Sequence, residues 1–236
     1  MSLLVLVRHG KASAFTGDYD RLSEPGFAQA RHLGERWAAL DRRVDRLYVG
    51  PRRRHRETAE TLLEAFAAGG GAAPALEVVD GLDEHQGLRL LMAVFDELRE
   101  RDDDLGELAR AAHADTEDTT ALLRLFRAVM RRWVVGELHH ADVESYAAFR
   151  ARVVAASERM TAGLVPGEVA VAVTSAGPVG AAVGHALGLD DAAAADLSFV
   201  VQNASVSELQ RTRKGLGLFR FNEIGHLTDA SLRTFV

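Results

Sequence analysis

The chain has 236 residues, 47% of them hydrophobic and 26% charged, which suits a globular fold with one sizeable core or one domain carrying an insertion. A formal net charge of −6 excludes a general nucleic-acid binder, since backbone phosphates demand an excess of positive charge on some face. There is no cysteine, so no disulfide framework exists and a reducing cytoplasm fits; the amino terminus, with five consecutive apolar residues and no basic flank, reads as neither signal peptide nor membrane span.

The first predicted element is the apolar run over residues 3–7, a buried strand broken by Arg8-His9-Gly10. Open α/β sheets bind ligands at the carboxyl ends of such strands. There Arg8 offers a planar fork for phosphate oxygens, His9 an imidazole nucleophile and Gly10 a tight turn. Alone, the triplet would read as an ordinary strand end. A polar loop over 11–21 leads to Ser23, a helix N-cap, with Pro25 in the first turn and apolar positions at Phe27, Ala30, Leu33, Trp37 and Leu40. A short strand over 45–49 ends at Gly50-Pro51. The next helix, over 52–66, carries Ala59, Leu62, Leu63 and Phe66 on one face. It opens with the basic run Arg52, Arg53, Arg54, His55 and Arg56, of which at least two read as a solvated turn.

Glycines at 69–71 form a loop before a third strand over 76–79, and this alternation of strand and helix implies parallel pairing through right-handed crossovers. Residues 88–165 lack strand-like alternation and predict helices over 88–101, 105–112, 120–135 and 143–164. The third of these is apolar at Leu122, Leu123, Phe126, Val129, Met130 and Trp133. An all-helical block between two strands of one sheet reads as a cap inserted over the sheet edge, where caps shape substrate choice. Arg124, Arg127, Arg131 and Arg132 read as a solvated face balanced by Asp115, Glu117 and Asp118, with a seat for a second anionic group as the alternative. His139-His140 with Asp142 does not make a metal site, because adjacent histidines diverge and no third ligand follows at a useful spacing.

A clear buried strand over 169–173 runs into Thr174-Ser175-Ala176-Gly177-Pro178 and a helix from about residue 178 to 187, whose N-terminal amides favour an anion. Asn203-Ala204 reads as a strand junction, residues 216–221 as an edge partner after the Arg213-Lys214-Gly215 turn, and 228–236 as a short surface helix or coil. The predicted fold class is α/β: a three-layer sandwich with a mostly parallel central sheet flanked by helices, and a helical cap inserted over 88–165.

Three segments in order, Leu6-Val7-Arg8-His9-Gly10, then 22–30 and 50–59, resemble the histidine phosphatase (phosphoglycerate mutase-like) superfamily and its pattern R-H-G, L-T-x-x-G-x-x-Q-A, S-P-x-x-R-x-x-x-T-A. Leu82-Asp83-Glu84, resembling the L-x-E segment, and residues 203–209, resembling N-x-S-[VT]-x-x-L, extend the match over the chain apart from its middle. The resemblance implies one domain over 1–236 and a phosphohistidine formed on His9. It gives Arg8 and Arg54 the phosphoryl oxygens and makes Glu84 the proton donor, with Asp83 the adjacent alternative. Gly10, Ser13, Ser175 and Ala176 become substrate-binding positions. A small phosphorylated substrate is implied, with no metal, organic cofactor, nucleic acid or membrane; homo-oligomers are left open by the apolar faces of the cap helices.

Two departures stand out. Gly50 replaces the serine before the proline, and Ser175 replaces the histidine of V-S-H-G-G. Losing one preorganised donor costs about 10²–10³ in turnover, so the second departure predicts weakened or retuned chemistry. No replacement histidine emerges from spacing: His185 lies two turns along its helix, and His85 beside Glu84 is the one candidate to reach the pocket. The first functional reading is a histidine acid phosphatase-like phosphoric monoester hydrolase. The second is a mutase, although mutases follow the triplet with G-E-S-x-W-N where this chain has Gly10-Lys11-Ala12-Ser13-Ala14-Phe15. The third is a phosphate-binding regulator or scaffold with little chemistry.

Overall fold

A computed structural model describes residues 1–13, 20–72, 74–115 and 119–235. Residues 14 and 15 of the stretch compared with the mutases, and Glu117 and Asp118 of the charge balance, lie outside them. The described strands are β1 (Leu3–Arg8), β2 (Arg46–Val49), β3 (Leu76–Val78), β4 (Val169–Thr174), β5 (Val206–Thr212) and β6 (Gly215–Glu223), in one sheet of order β3-β2-β4-β1-β5-β6. β1 runs parallel to β4 in a register from Leu3 opposite Val169 to Arg8 opposite Thr174. β2 is parallel to both β3 and β4, while β5 is antiparallel to β1 and to β6. The sheet is therefore parallel except at one edge.

The pattern of side chains explains why the centre is where it is. β4 is buried at every position, as an unbroken apolar run sandwiched between two helical layers must be. Period-2 alternation sends Val5, Val7, Leu47, Val49, Val171 and Val173 to one face. There they meet Leu33 and Trp37 of α1 (Glu24–Ala39) and Leu62 and Phe66 of α2 (Arg53–Ala68). Ser23 caps α1, its Oγ accepting from the Gly26 N–H at 3.3 Å.

The chain divides into two units, residues 1–84 with 150–236, and residues 85–149. The second holds α3 (Gly87–Arg99), α4 (Asp104–Ala114) and α5 (Thr119–Val134). An aromatic group of His85, Trp133, Tyr146 and Phe149 lies in this unit, with ring centroids 5.3–6.2 Å apart for the touching pairs. Trp133 Nε1 donates to the Glu144 carbonyl at 2.9 Å. On α5 the buried residues are Leu125, Val129, Met130, Trp133 and Val134, with Leu123 exposed. The run Ala121-Leu122-Leu123-Arg124-Leu125-Phe126 is apolar around most of a turn, so its period did not fix which leucine faces inward. Arg132 pairs with Asp104 and Glu137 rather than standing free.

The first unit continues with α6 (Tyr146–Thr161), which enters it at Arg150, then α7 (Ala176–Leu187) and α8 (Asp191–Ser198). α7 starts two residues earlier than the sequence suggested, because Pro178 sits in the first turn, where backbone N–H groups have no intrahelical partner to lose. α8 was not anticipated; Asp190 caps it by accepting from Ala193 N–H at 2.8 Å. It lies so close to α7 that a Cβ on Gly184 would sit 2.4 Å from Ala194 Cβ. Of the two readings for 228–236 the coil is nearer, with a single 3-10 turn over residues 230–232. Among the described residues no helix is long and apolar enough to cross a membrane.

Candidate active site

His9 follows the last residue of β1, and its backbone is tied on both sides. Its N–H donates to the Thr174 carbonyl at the end of β4 (2.8 Å), while its carbonyl accepts from Ala204 N–H (3.2 Å) and Asn203 Nδ2 (3.4 Å). Ala204 holds a positive φ of 55° to make that contact. Beyond His9 the backbone crosses the first turn of α1 at contact distance. A Cβ on Gly10 would lie 2.4 Å from the Gly26 carbonyl oxygen, and one on Gly26 only 2.1 Å from that of Lys11. The fully buried Gln29 accepts from Lys11 N–H at 2.7 Å, so the glycine and glutamine of the second motif both serve to seat the first.

The partners of the His9 ring settle its tautomer. Nδ1 lies 2.7 Å from the Gly10 carbonyl, which only accepts, and Nε2 lies 3.2 Å from Arg54 Nε, which only donates. The proton is therefore on Nδ1, and Nε2 presents a lone pair. Burial, then the charges of Arg54 and Arg8, hold the imidazole well below its usual 6.5, with the Gly10 carbonyl opposing. The ring is neutral at pH 7.

Arg54, itself buried, reaches three groups at once: His9 through Nε, Asp20 Oδ1 through Nη1 (2.8 Å) and Ser175 Oγ through Nη2 (3.5 Å). Thr58 ties the next turn of α2 to the same loop, accepting from Gly10 N–H at 3.1 Å and donating to the Arg54 carbonyl at 2.7 Å. Arg8 extends from the end of β1 and donates from Nη1 to the Val201 carbonyl. Ser175 is the fully buried N-cap of α7, with Ala176 the first helical residue. Glu84 joins the same helix start, its Oε2 accepting from Gly177 N–H at 3.3 Å. Asp83 instead clasps Arg52 at 2.5 and 3.1 Å. The loop carrying both is held by Arg152, which donates to the carbonyls of Gly81 (3.1 Å) and Asp83 (2.8 Å).

His9, Arg54 and Ser175 are thus in direct contact, with Arg8 and Glu84 anchored at neighbouring strand and helix ends. Ser13 is engaged elsewhere, donating to the backbone of Arg21 and Leu22 at the base of the following loop. His85 belongs to the aromatic group of the helical unit, and His185 is exposed in the last turn of α7. Among the described residues no group of three or more His, Asp or Glu could hold a metal ion.

Two residues that the sequence did not single out complete the arrangement. Asp20 supplies a carboxylate to Arg54 and accepts from Arg53 N–H at 2.9 Å. His55 is fully buried, with Nε2 2.6 Å from Ser175 Oγ and its ring centroid 5.6 Å from that of His9. A signal for it existed: the apolar stripe Ala59, Leu62, Phe66, extended back by one turn, falls on His55. Of the basic run only Arg53 and Arg56 face solvent.

The family model described as histidine phosphatase superfamily (branch 1) matches residues 4–135 and 100–224, together most of the chain. The protein belongs to the histidine phosphatase superfamily. No curated protein sequence matches it, but solved structures share its fold. A phosphoserine phosphatase from Entamoeba histolytica, solved with phosphoserine, is 16% identical with a TM-score of 0.64 over 96% of this chain and 100% of that one. The alpha-ribazole phosphatase from Shigella flexneri is 18% identical with a TM-score of 0.64, covering 94% and 96%. A mycobacterial glucosyl-3-phosphoglycerate phosphatase is 21% identical with a TM-score of 0.60, covering 93% and 98%. As a histidine phosphatase superfamily member, the chain carries its R-H-G triplet where the parallel part of its sheet ends, beside a helix N-terminus.

Proposed function

We propose that the protein is a phosphatase that hydrolyses a small phosphomonoester through a phosphohistidine on His9. The observation that carries this reading is the His9 ring itself: Nε2 bears its lone pair against the guanidinium of Arg54, and Nδ1–H is spent on Gly10. A phosphoryl group drawn in by Arg8 and Arg54 takes over the Arg54 Nε–H that Nε2 accepts in the resting structure, and so meets a neutral nucleophile with its lone pair released. Arg54 would exchange its contact with the half-exposed Asp20 for phosphoryl oxygens.

In the first step Nε2 attacks phosphorus, the bond to the ester oxygen breaks, and Glu84 gives its proton to the departing alkoxide. The negative phosphoryl group beside Glu84 favours the protonated carboxyl that this step needs. In the second step the Glu84 carboxylate takes a proton from water, the hydroxide attacks phosphorus and the P–N bond breaks. This releases inorganic phosphate and restores both groups. The guanidinium groups neutralise the developing charge throughout. Three structural neighbours, a phosphoserine, an alpha-ribazole and a glucosyl-3-phosphoglycerate phosphatase, support this reaction class.

The test is turnover of 4-nitrophenyl phosphate by the purified protein and by His9→Ala, with trapping of a phosphorylated histidine. Turnover that vanishes with His9, together with a trapped adduct on that residue, is the expected result. Turnover that survives His9→Ala would remove the covalent route.

A further inference from the structure

The two departures from the family pattern, Gly50 and Ser175, meet at one side chain. His55 Nε2 is 2.6 Å from Ser175 Oγ. On its other side the ring lies against Gly50, where a Cβ would stand 2.3 Å from Nδ1 and 2.9 Å from Cε1. A serine at position 50 would exclude this ring. Glycine at position 50 is what lets an imidazole fit behind Ser175.

The hydrogen bonds around Ser175 then follow from counting. Its Oγ has two lone pairs and one hydrogen. Arg54 can only donate, so Nη2 takes one lone pair. The groups facing the His55 ring are Arg54 on α2 and Arg52 just before it, His9 at the end of β1, the backbone of Gly50, and Ser175. Burial first, then Arg54 and Arg52, keep the ring neutral, against the Gly50 carbonyl. A neutral imidazole has one N–H. Nδ1 makes no hydrogen bond of good geometry, and a phosphoryl oxygen only accepts, so with an anion bound the hydroxyl hydrogen turns to it and the ring hydrogen belongs on Nε2, facing Oγ. With both lone pairs of Oγ filled, the hydroxyl hydrogen is all that remains. It sits at the N-terminus of α7, beside the guanidinium that also touches His9.

We propose that His55 is a positioning residue acting through Ser175: Nε2–H donates to Oγ and turns the hydroxyl hydrogen onto a phosphoryl oxygen. The pair supplies as two residues the neutral donor that one side chain could supply. This rests on the reading of the pocket as a phosphoryl site. It would not rest on hydrolysis, because an oxyanion donor acts on a bound phosphate as well as on a transition state.

The experiment uses inorganic phosphate as ligand and 4-nitrophenyl phosphate as substrate with the wild type, Ser175→Ala, His55→Leu, His55→Gln and the double variant Ser175→Ala/His55→Leu. Nitrogen NMR of histidine-labelled protein, with His55 assigned from its loss in His55→Gln, reads the tautomer. The expected outcome is a protonated Nε2 in the phosphate-bound wild type and a fall of about 10²-fold in kcat for both Ser175→Ala and His55→Leu. The double variant should lose no more than either single one, and His55→Gln, which keeps an N–H, should recover most of the rate. A bare Nε2 in the phosphate-bound wild type overturns the proposal without recourse to any variant that fails to fold. Losses that multiply in the double variant also overturn it. If wild type binds phosphate but hydrolyses nothing, hydrolysis fails and the pair is judged on phosphate affinity. If hydrolysis is intact in His55→Leu, the pair fails alone.

Discussion

Glu84 and Asp83 are adjacent carboxylates, and their surroundings separate them. Asp83 is taken up by Arg52, whereas Glu84 reaches the first turn of α7 next to Ser175. Glu84→Gln keeps the shape and an oxygen for Gly177 N–H but has no proton to give. It is expected to cost about 10²–10⁴ in kcat, with the larger loss on an alkyl phosphate, whose alkoxide must be protonated to leave. 4-Nitrophenyl phosphate departs as a stable phenolate and should lose less. Equal losses on the two substrates would remove Glu84 from the donor role, and Asp83→Asn should leave the contrast between them intact. At this scale the motifs made the places of His9, Arg54 and Glu84 at strand and helix ends legible, because each lies in a short segment with a recognisable pattern. His55 was not, because its partner Ser175 is 120 residues away and a histidine inside a basic run resembles a solvated charge until its place on the buried stripe is considered.

Helices and strands were legible wherever large apolar residues repeat with a clear period, as in α1, α2, β1 and β4. α8 escaped because Asp191-Ala192-Ala193-Ala194-Ala195-Asp196 has no bulky stripe; it packs by smallness, Ala194 against Gly184. Close approach of small residues is a second code, and Gly26 and Gly50 are written in it. A methyl group on Gly26 would strike the Lys11 carbonyl and push α1 away from the loop after His9. Gly26→Ala is therefore expected to lower stability by about 1–3 kcal/mol, read as a shift in the urea midpoint, and to reduce turnover with it. Gly50→Ala should act differently. Its hardest clash is with the His55 ring, at 2.3 Å, and a lesser one is with the Leu82 carbonyl oxygen, at 2.8 Å, so removing the ring relieves the larger part. In a double-mutant cycle with His55→Ala, coupling of about 0.5–3 kcal/mol is expected in the relieving direction. Additive losses would show that α2 had moved instead of the ring.

Among the described residues, the imidazoles of His9 and His55 are buried and that of His226 is partly buried. His9 and His55 are held well below 6.5, by burial and the arginines around them, and His226 is lowered to about 4, by burial and then by His32. The unfolded chain protonates all three near 6.5. Between that value and the lower folded values the unfolded state binds protons that the native state refuses, so stability is highest above about pH 6.5 and falls as the pH drops through this window. Each group contributes a slope of up to about 1.4 kcal/mol per pH unit. Urea unfolding at pH 7.5, 6.0 and 5.0 should show stability falling below pH 6.5, and His226→Gln should flatten part of that fall. The same suppression has the opposite effect on chemistry. His9 keeps its Nε2 lone pair as the pH falls through 6.5, so kcat/KM for 4-nitrophenyl phosphate should not lose its nucleophile there. A rate that halves at pH 6.5 while the urea midpoint is unchanged would mean that His9 titrates like a solvated histidine, and that the cations around it are not where the structure puts them.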